Sequence, residues 1–484
     1  MPLSDFIKSK AGALDIKNIR TLAQQCEIPL TTFYRYLRGE VAMPRSAEEA
    51  ISSALRLSET EEQEFYAILR RYIKHKPMSK LFQVMDSLVF GGDGLPEGAD
   101  AGGDVLYFNQ DRHLIPITKL FEQMLANVKA PNFRCSLKII HGIGMPHFFW
   151  LADFIDELIQ RAPKASIEHL VSLPEKDHAG SLQTLLTVLP LLKHGNYSLF
   201  YTADDLPEQT KQSLGRMIYF STAFDSENGL FGTDNYLISI RETGRIECLH
   251  IGNPLFHEFL TNHYFDLRQF YPKDFSAIRY LNQSLDFYAD KSRERPVCTL
   301  QSDLPFSCIS EDAYNSILAR SEGEERLAAE ALASAASVYR QASYSHPITD
   351  ICSKNGLLTM VKTGLLTNPA TGLPQLNKAE LRMSLEYVRD RNCDTHNAYS
   401  LFITDKQILK GRHATVVYRD EGASFSFDDA KRGGAPMIDN NFYIENKSLG
   451  NLLYEYMTDY IPLNHALSQT DTTAFLNSLI NLYL

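Results

Sequence analysis

The stretch LAQQCEIPLTTFYRYLRGEVAMP, residues 22–44, reads as two short helices around a tight turn. Ile19, Leu22, Ala23 and Cys26 fall at i, i+3, i+4 and i+7, the apolar face of a first helix with Asn18 in the N-cap position. Pro29 disfavours helical geometry at Ile28, so that helix ends there. A second helix from about Thr31 turns Phe33, Tyr36 and Leu37 inward, and Gly39 is placed to end it. Its outward set is then Thr31, Thr32, Tyr34, Arg35 and Arg38. Two more amphipathic helices follow. One starts at Ser46, with Glu49 completing a capping box, and the other runs from Glu59 to Tyr72 with Ser58 as cap. Residues 1–76 therefore read as an all-α domain.

These residues resemble the helix-turn-helix of the XRE, or phage-repressor-like, family of transcription regulators. The match rests on Ala23 between the helices, Ile28 past the turn, Phe33 and Tyr36 on the buried face, and the Leu37-Arg38-Gly39 exit followed by Pro44. It covers roughly residues 15–75. One position departs: the family's turn glycine, which takes a left-handed backbone, is Glu27 here. A side chain in that conformation costs about 1 kcal/mol. The resemblance implies that the second helix enters the major groove of a double-stranded DNA operator. Thr31, Thr32, Tyr34, Arg35 and Arg38 would then face bases and phosphates, with Asn18 and Arg20 placed for phosphate. It also implies a homodimer on two half-sites one helical turn apart.

Charge distribution agrees with a small DNA-binding part on a larger acidic body. The chain carries a net charge of −11, yet residues 1–76 hold twelve Lys+Arg against ten Asp+Glu. The remaining 408 residues therefore carry −13. An apolar share of 44% excludes a wholly disordered chain. No run of 18 apolar residues occurs, so no membrane span is expected. The start, MPLSDFIKSK, lacks the features of a secretory signal. Seven scattered cysteines without a CxxC pair read as free thiols in a reducing compartment. The expected location is cytoplasmic.

Residues 77–103 form a linker helix and a connector, GGDGLPEGADAGG (91–103), with six glycines. It lacks phosphate-loop spacing, and its three acidic residues would repel phosphate. From 104 onward, strand-length apolar runs alternate with helical stretches, implying a large α/β or α+β body. Lobe 1 is expected over 104–300, an Ala-rich helical bridge over 301–345, and lobe 2 with a C-terminal helix over 346–484. Leu357–Val361 reads as a strand, and YLISI-RETG-RIECLH (236–250) as a hairpin. A similar order of strands and helices recurs in the second half, which suggests two related lobes. Helices 324–343 and 472–484 are the expected dimer contacts.

No enzyme motif survives inspection. In HEFLTNH (257–263) the second histidine lies six residues after the first, about 600° around a helix, so the two rings cannot share a zinc ion. Cys135, His141 and His147, and the pair Cys393 and His396, do not complete a four-ligand set. No His is followed two residues on by Lys, and no GxSxG occurs. The chain is thus expected to be a non-enzymatic regulator without cofactor or metal. Its aromatic-rich body would sense a small-molecule or peptide effector. The competing expectation is a helix-turn-helix-anchored enzyme, or an interaction module.

Overall fold

Two β-sheets with a shared strand order carry the body, and a separate cluster of helices precedes them. This computed structural model describes residues 3–14, 19–37, 43, 45–58, 104–109, 111–116, 134–141, 149–203, 217–225, 231–240, 246–278, 289–366, 375–408, 412–427 and 440–483, apart from a few single positions, together with scattered residues within 61–90 and 119–125.

The N-terminal helices are α1 (Leu3–Ala13), α2 (Ile19–Gln25), α3 (Leu30–Leu37) and α4 (Arg45–Ala54). They close around their own core, with Phe6, Leu22, Phe33, Ile51 and Phe65 fully buried. Each buried phenylalanine contributes about 1.5–3 kcal/mol. Helix α1 lies outside the elements read from sequence. Its Phe6 stacks on Phe65 with ring centroids 6.0 Å apart, closing the cluster from the other end. Ser46 sits inside α4, which starts at Arg45, and so does not cap it. Ser58 takes part in a capping box: its N–H donates to Glu61 Oε2 at 2.8 Å, and Glu61 N–H donates to its hydroxyl at 3.4 Å.

In the body, β1 (Asp104–Asn109) and β2 (Asp111–Pro116) form an edge hairpin. Three parallel strands follow, β3 (Arg134–His141), β4 (Ser166–Ser172) and β5 (Tyr197–Thr202), joined through α5 (Phe149–Arg161) and α6 (His178–Val188). From the other edge of β3 an antiparallel meander runs through β6 (Met217–Asp225), β7 (Phe231–Ile240) and β8 (Ile246–Ile251). Helix α7 (Pro254–Arg268) and the short β9 (Lys273–Asp274) complete lobe 1.

The chain then crosses to the second sheet at β10 (Ser276–Ile278). Parallel strands β11 (Val297–Gln301), β12 (Ile348–Ser353) and β13 (Tyr399–Thr404) come first. The antiparallel β14 (Arg412–Tyr418), β15 (Gly422–Phe427) and β16 (Asn440–Glu445) lie on the other side of β11. Between β11 and β12 run α8 (Glu311–Arg320) and α9 (Gly323–Ala342), and between β12 and β13 run α10 (Lys354–Thr363) and α11 (Lys378–Cys393). After β16 come α12 (Lys447–Glu455), a π-helical turn at Tyr456–Tyr460, α13 (Ile461–Asn464) and α14 (Gln469–Tyr483).

The order β8-β7-β6-β3-β4-β5 in the first sheet is matched by β16-β15-β14-β11-β12-β13 in the second, with the same strand directions throughout. Residue identity follows the topology. β5 is YSLFYT and β13 is YSLFIT. Each meander also ends in Ile-x-Asn, with Asn253 capping α7 and Asn446 capping α12. Lobe 2 thus repeats lobe 1.

This arrangement changes four expectations. Residues 301–345 do not bridge the lobes, because α8 and α9 are the crossover from β11 to β12 within lobe 2. The boundary lies near residue 275 rather than 300, since β10 already belongs to the second sheet. Leu357–Val361 is helical, part of α10, whose N-cap Ser353 accepts the Gly356 N–H. The apolar faces proposed for dimerisation are spent internally, with Leu332 and Tyr339 of α9 and Leu476 and Leu479 of α14 buried in the lobe 2 core. The lobes stack directly. A single apolar cluster holds Leu185 of α6 and Leu452 of α12, and Asn446 Nδ2 donates across the boundary to the Leu173 carbonyl at 2.8 Å.

Candidate nucleic-acid interface and its link to the body

Helix α2 ends in a left-handed turn. Glu27 has φ 54°, its N–H donates to the Gln24 carbonyl at 3.1 Å, and the Ile28 N–H donates to the Ala23 carbonyl at 2.9 Å. That pair of bonds is a Schellman motif, which closes the free carbonyls of α2 and reverses the chain tightly enough for α3 to pack across it. Phe33 and Leu37 of α3 are buried and Tyr36 is half-buried, the inward face expected from spacing. Arg20, Thr31 and Tyr34 are exposed and Thr32 is half-buried, so four of the seven expected contact residues are placed at the surface or its margin. Arg35 belongs to α3, but its side chain lies outside the described residues, as do Asn18 and Arg38.

The basic excess of this part is partly spent inside it. Lys10 of α1 pairs with Glu61 at 2.5 Å, and this bond, with those from Ser58, holds the Glu61 carboxyl down to about 2. Lys10 is thereby neutralised within the domain, and phosphate affinity scales with the number of cations left to contact DNA.

A second cluster ties the chain leaving this module to lobe 2. Among the described connector residues, Phe82, Met85, Asp86 and Phe90 share helical spacing. Tyr456 donates to Asp86 Oδ1 at 2.8 Å and Tyr460 to Oδ2 at 3.3 Å. His465 Nε2 lies 2.8 Å from Oδ2, and Lys406 Nζ is 3.9 Å from the same oxygen. Phe82 packs on the Tyr460 ring and Phe90 meets His465 edge-on, with centroids 5.1 and 5.2 Å apart. Both tyrosines sit in the π-helical turn, a helix form that recurs at functional sites. The sequence suggests a linker helix through Phe82 and Met85 but gives no sign of its meeting Tyr456, Tyr460 and His465, which lie more than 300 positions away.

The lobes hold buried polar groups at equivalent sheet positions. In lobe 1, His169 Nδ1 meets the Tyr197 hydroxyl at 2.7 Å. In lobe 2 the corresponding residues are Asp350 and Tyr399, with the Cys308 thiol 3.3 Å from Asp350 Oδ2 and 3.2 Å from the Tyr399 hydroxyl. The Arg391 guanidinium stacks 4.0 Å over the Tyr399 ring. Burial raises the Asp350 carboxyl above its ordinary range and the Cys308 thiol well above its own. His169, Asp350 and Cys308 are wholly buried, so the paired groups lie inside layers rather than in a cleft.

Among the described residues no group of three or more His, Cys, Asp or Glu side chains could hold a metal ion. Cys393 is exposed, and the side chains of Cys135, His141, His147 and His257 lie outside the described residues. The remaining described cysteines are buried free thiols, and burial pushes Cys248 up to about 12. No described helix is long and apolar enough to cross a membrane. No family model matches the chain, and no curated protein matches it.

Proposed function

We propose that the protein is a sequence-specific DNA-binding transcription regulator, acting in the cytoplasm as a homodimer, whose acidic two-lobed body senses a small-molecule or peptide effector. The observation that carries this reading is the turn at Glu27. Glu27 at φ 54° closes α2 so that α3 packs across it, and Thr31 and Tyr34 are left facing solvent on α3. Hydroxyls and a phenol beside Arg35 are groups that base edges and phosphates accept.

Two features favour sensing over catalysis in the body. The perturbed groups Asp350 and Cys308 are sealed, whereas a general acid or nucleophile must reach substrate. The connector is also clamped to lobe 2 through Asp86, which gives the body a hold on the DNA-binding module.

Selection from a random duplex pool with the full-length chain tests the DNA reading. An enriched motif is expected, and the Thr32→Ala/Arg35→Ala variant should lose about 1–3 kcal/mol for each base contact removed. Equal enrichment by parent and double variant would overturn it. Light scattering should report a dimer, with two protomers per operator.

A further inference from the structure

Exposed apolar side chains gather on one outer surface of lobe 1. Leu255, Phe259 and Phe265 of α7 are exposed, and so is Leu249 of the adjoining β8. The register Leu249–Leu237, Leu237–Tyr219, Tyr219–Ile140 puts Leu249 on the sheet face that α7 covers. Leu255, Phe259 and His263 recur at i, i+4 and i+8, one ridge along the helix. The Phe259 and His263 rings are nearly parallel, 3° apart, with centroids 6.2 Å apart, so the ridge presents flat aromatic surface.

The internal repeat shows what meets such a ridge. Aligned on their caps, Asn253 and Asn446, the positions of Phe259 and His263 are Leu452 and Tyr456 in α12. Both are buried in the cluster that the two lobes share, where α12 packs on α6. The helix after the meander is thus where lobe 2 receives its neighbour. Lobe 2 itself lies across the opposite face of sheet 1, where Ile139 and Cys248 enter that cluster. A lobe that reaches α7 therefore comes from a second copy of the chain. Exposed Glu258, Asn262, Asp266 and Gln269 give the apolar centre a polar margin, the usual anatomy of a protein interface. The two carboxylates disfavour an anionic membrane surface.

We infer that α7 is the dimer surface: two copies pair about a twofold axis, with the Leu255–Phe259–His263 ridge of one set against the same ridge of the other. Such a pairing uses one patch twice and closes at two protomers. The inference adds the contact surface to the regulator reading, and rests on that reading for the expectation of a homodimer. It also fits the burial of the α9 and α14 apolar faces within lobe 2.

Sedimentation velocity of the full-length chain from ~0.05 to ~50 μM tests the surface. A monomer–dimer equilibrium in the low-micromolar range is expected, about the strength of a small interface. Up to that concentration, pairing shifts the unfolding equilibrium by no more than about twofold, so Phe259 unfolds as an exposed residue. Phe259→Asp should weaken association about tenfold or more, with the melting temperature of the dilute protein unchanged. Leu327→Asp, at a similarly exposed leucine of α9, should leave association as it is. A monomer at every concentration, a dimer that survives Phe259→Asp, or a monomer that instead binds phosphatidylcholine or phosphatidylserine vesicles overturns the proposal. None of these measurements uses DNA. An operator bound by a dimer indifferent to Phe259→Asp would remove the α7 surface and keep the regulator reading, and an α7-dependent dimer without an operator would do the reverse.

Discussion

Helices α7 and α12 follow the same kind of meander, start from the same Ile-x-Asn cap, and have opposite fates. Aligned on that cap, Phe259 of α7 and Leu452 of α12 occupy one position; Phe259 is 60% exposed and Leu452 3%. Leu255 and Phe265 of α7 are exposed as well, while Leu449 and Leu453 of α12 are buried against lobe 1. Shared topology therefore does not imply shared packing. What separates the lobes is which side of each sheet the neighbouring lobe covers.

The largest expected effect breaks that pairing by truncation. Leu452→Ala should lower unfolding free energy by about 2–5 kcal/mol, and Phe259→Ala by less than about 0.5 kcal/mol, as read by urea denaturation. Similar losses at both positions would mean that α7 is covered in solution. The caps give a second pair. Asn446 accepts the Leu449 N–H and also donates to lobe 1, whereas exposed Asn253 accepts only the Leu255 N–H among its described bonds. Asn446→Ala should cost about 2–3 kcal/mol and Asn253→Ala about 1 kcal/mol.

A third test compares the buried pairs. The Asp350 carboxyl is raised in the folded state by burial, so its contribution is fully present below the unfolded value and is lost as pH rises through the folded one. Lowering pH from neutral towards ~4 should therefore raise the melting temperature through this group. Asp350→Asn should remove that slope, while His169→Gln in lobe 1 should leave it. The smallest change lies outside both lobes. Glu27→Gly relieves a side chain at φ 54° and should stabilise the N-terminal module by about 1 kcal/mol without moving either lobe.

Legibility in the sequence followed the range of the interactions. The α2–turn–α3 unit was readable because its determinants, from Leu22 to Leu37, lie within 16 residues and act through local spacing and backbone conformation. Helix α11 rests on determinants of the same short range, with an Asn377–Glu380 capping box at its start. Leu357–Val361 misled because a short apolar run has no period of its own; the Ser353 cap upstream decided for a helix. Helix α1 was missed because Phe6, Ile7 and Ala11 mark too short an apolar stripe. The repeat was present as YSLFYT and YSLFIT, but helical segments of different length separate it from comparable landmarks in the two halves.

The sequence by itself determined an all-α N-terminal segment, an alternating body and a recurrent order of elements. Those features depend on periodicity, caps and turn chemistry, which act over a few residues. Only the tertiary structure decided that residues 311–342 are a crossover within lobe 2, that Leu452 of α12 is buried while Phe259 of α7 is exposed, and that Asp86 meets Tyr456 and His465. Each of these joins residues distant in the chain, and burial of apolar area fixes such contacts without regard to sequence separation.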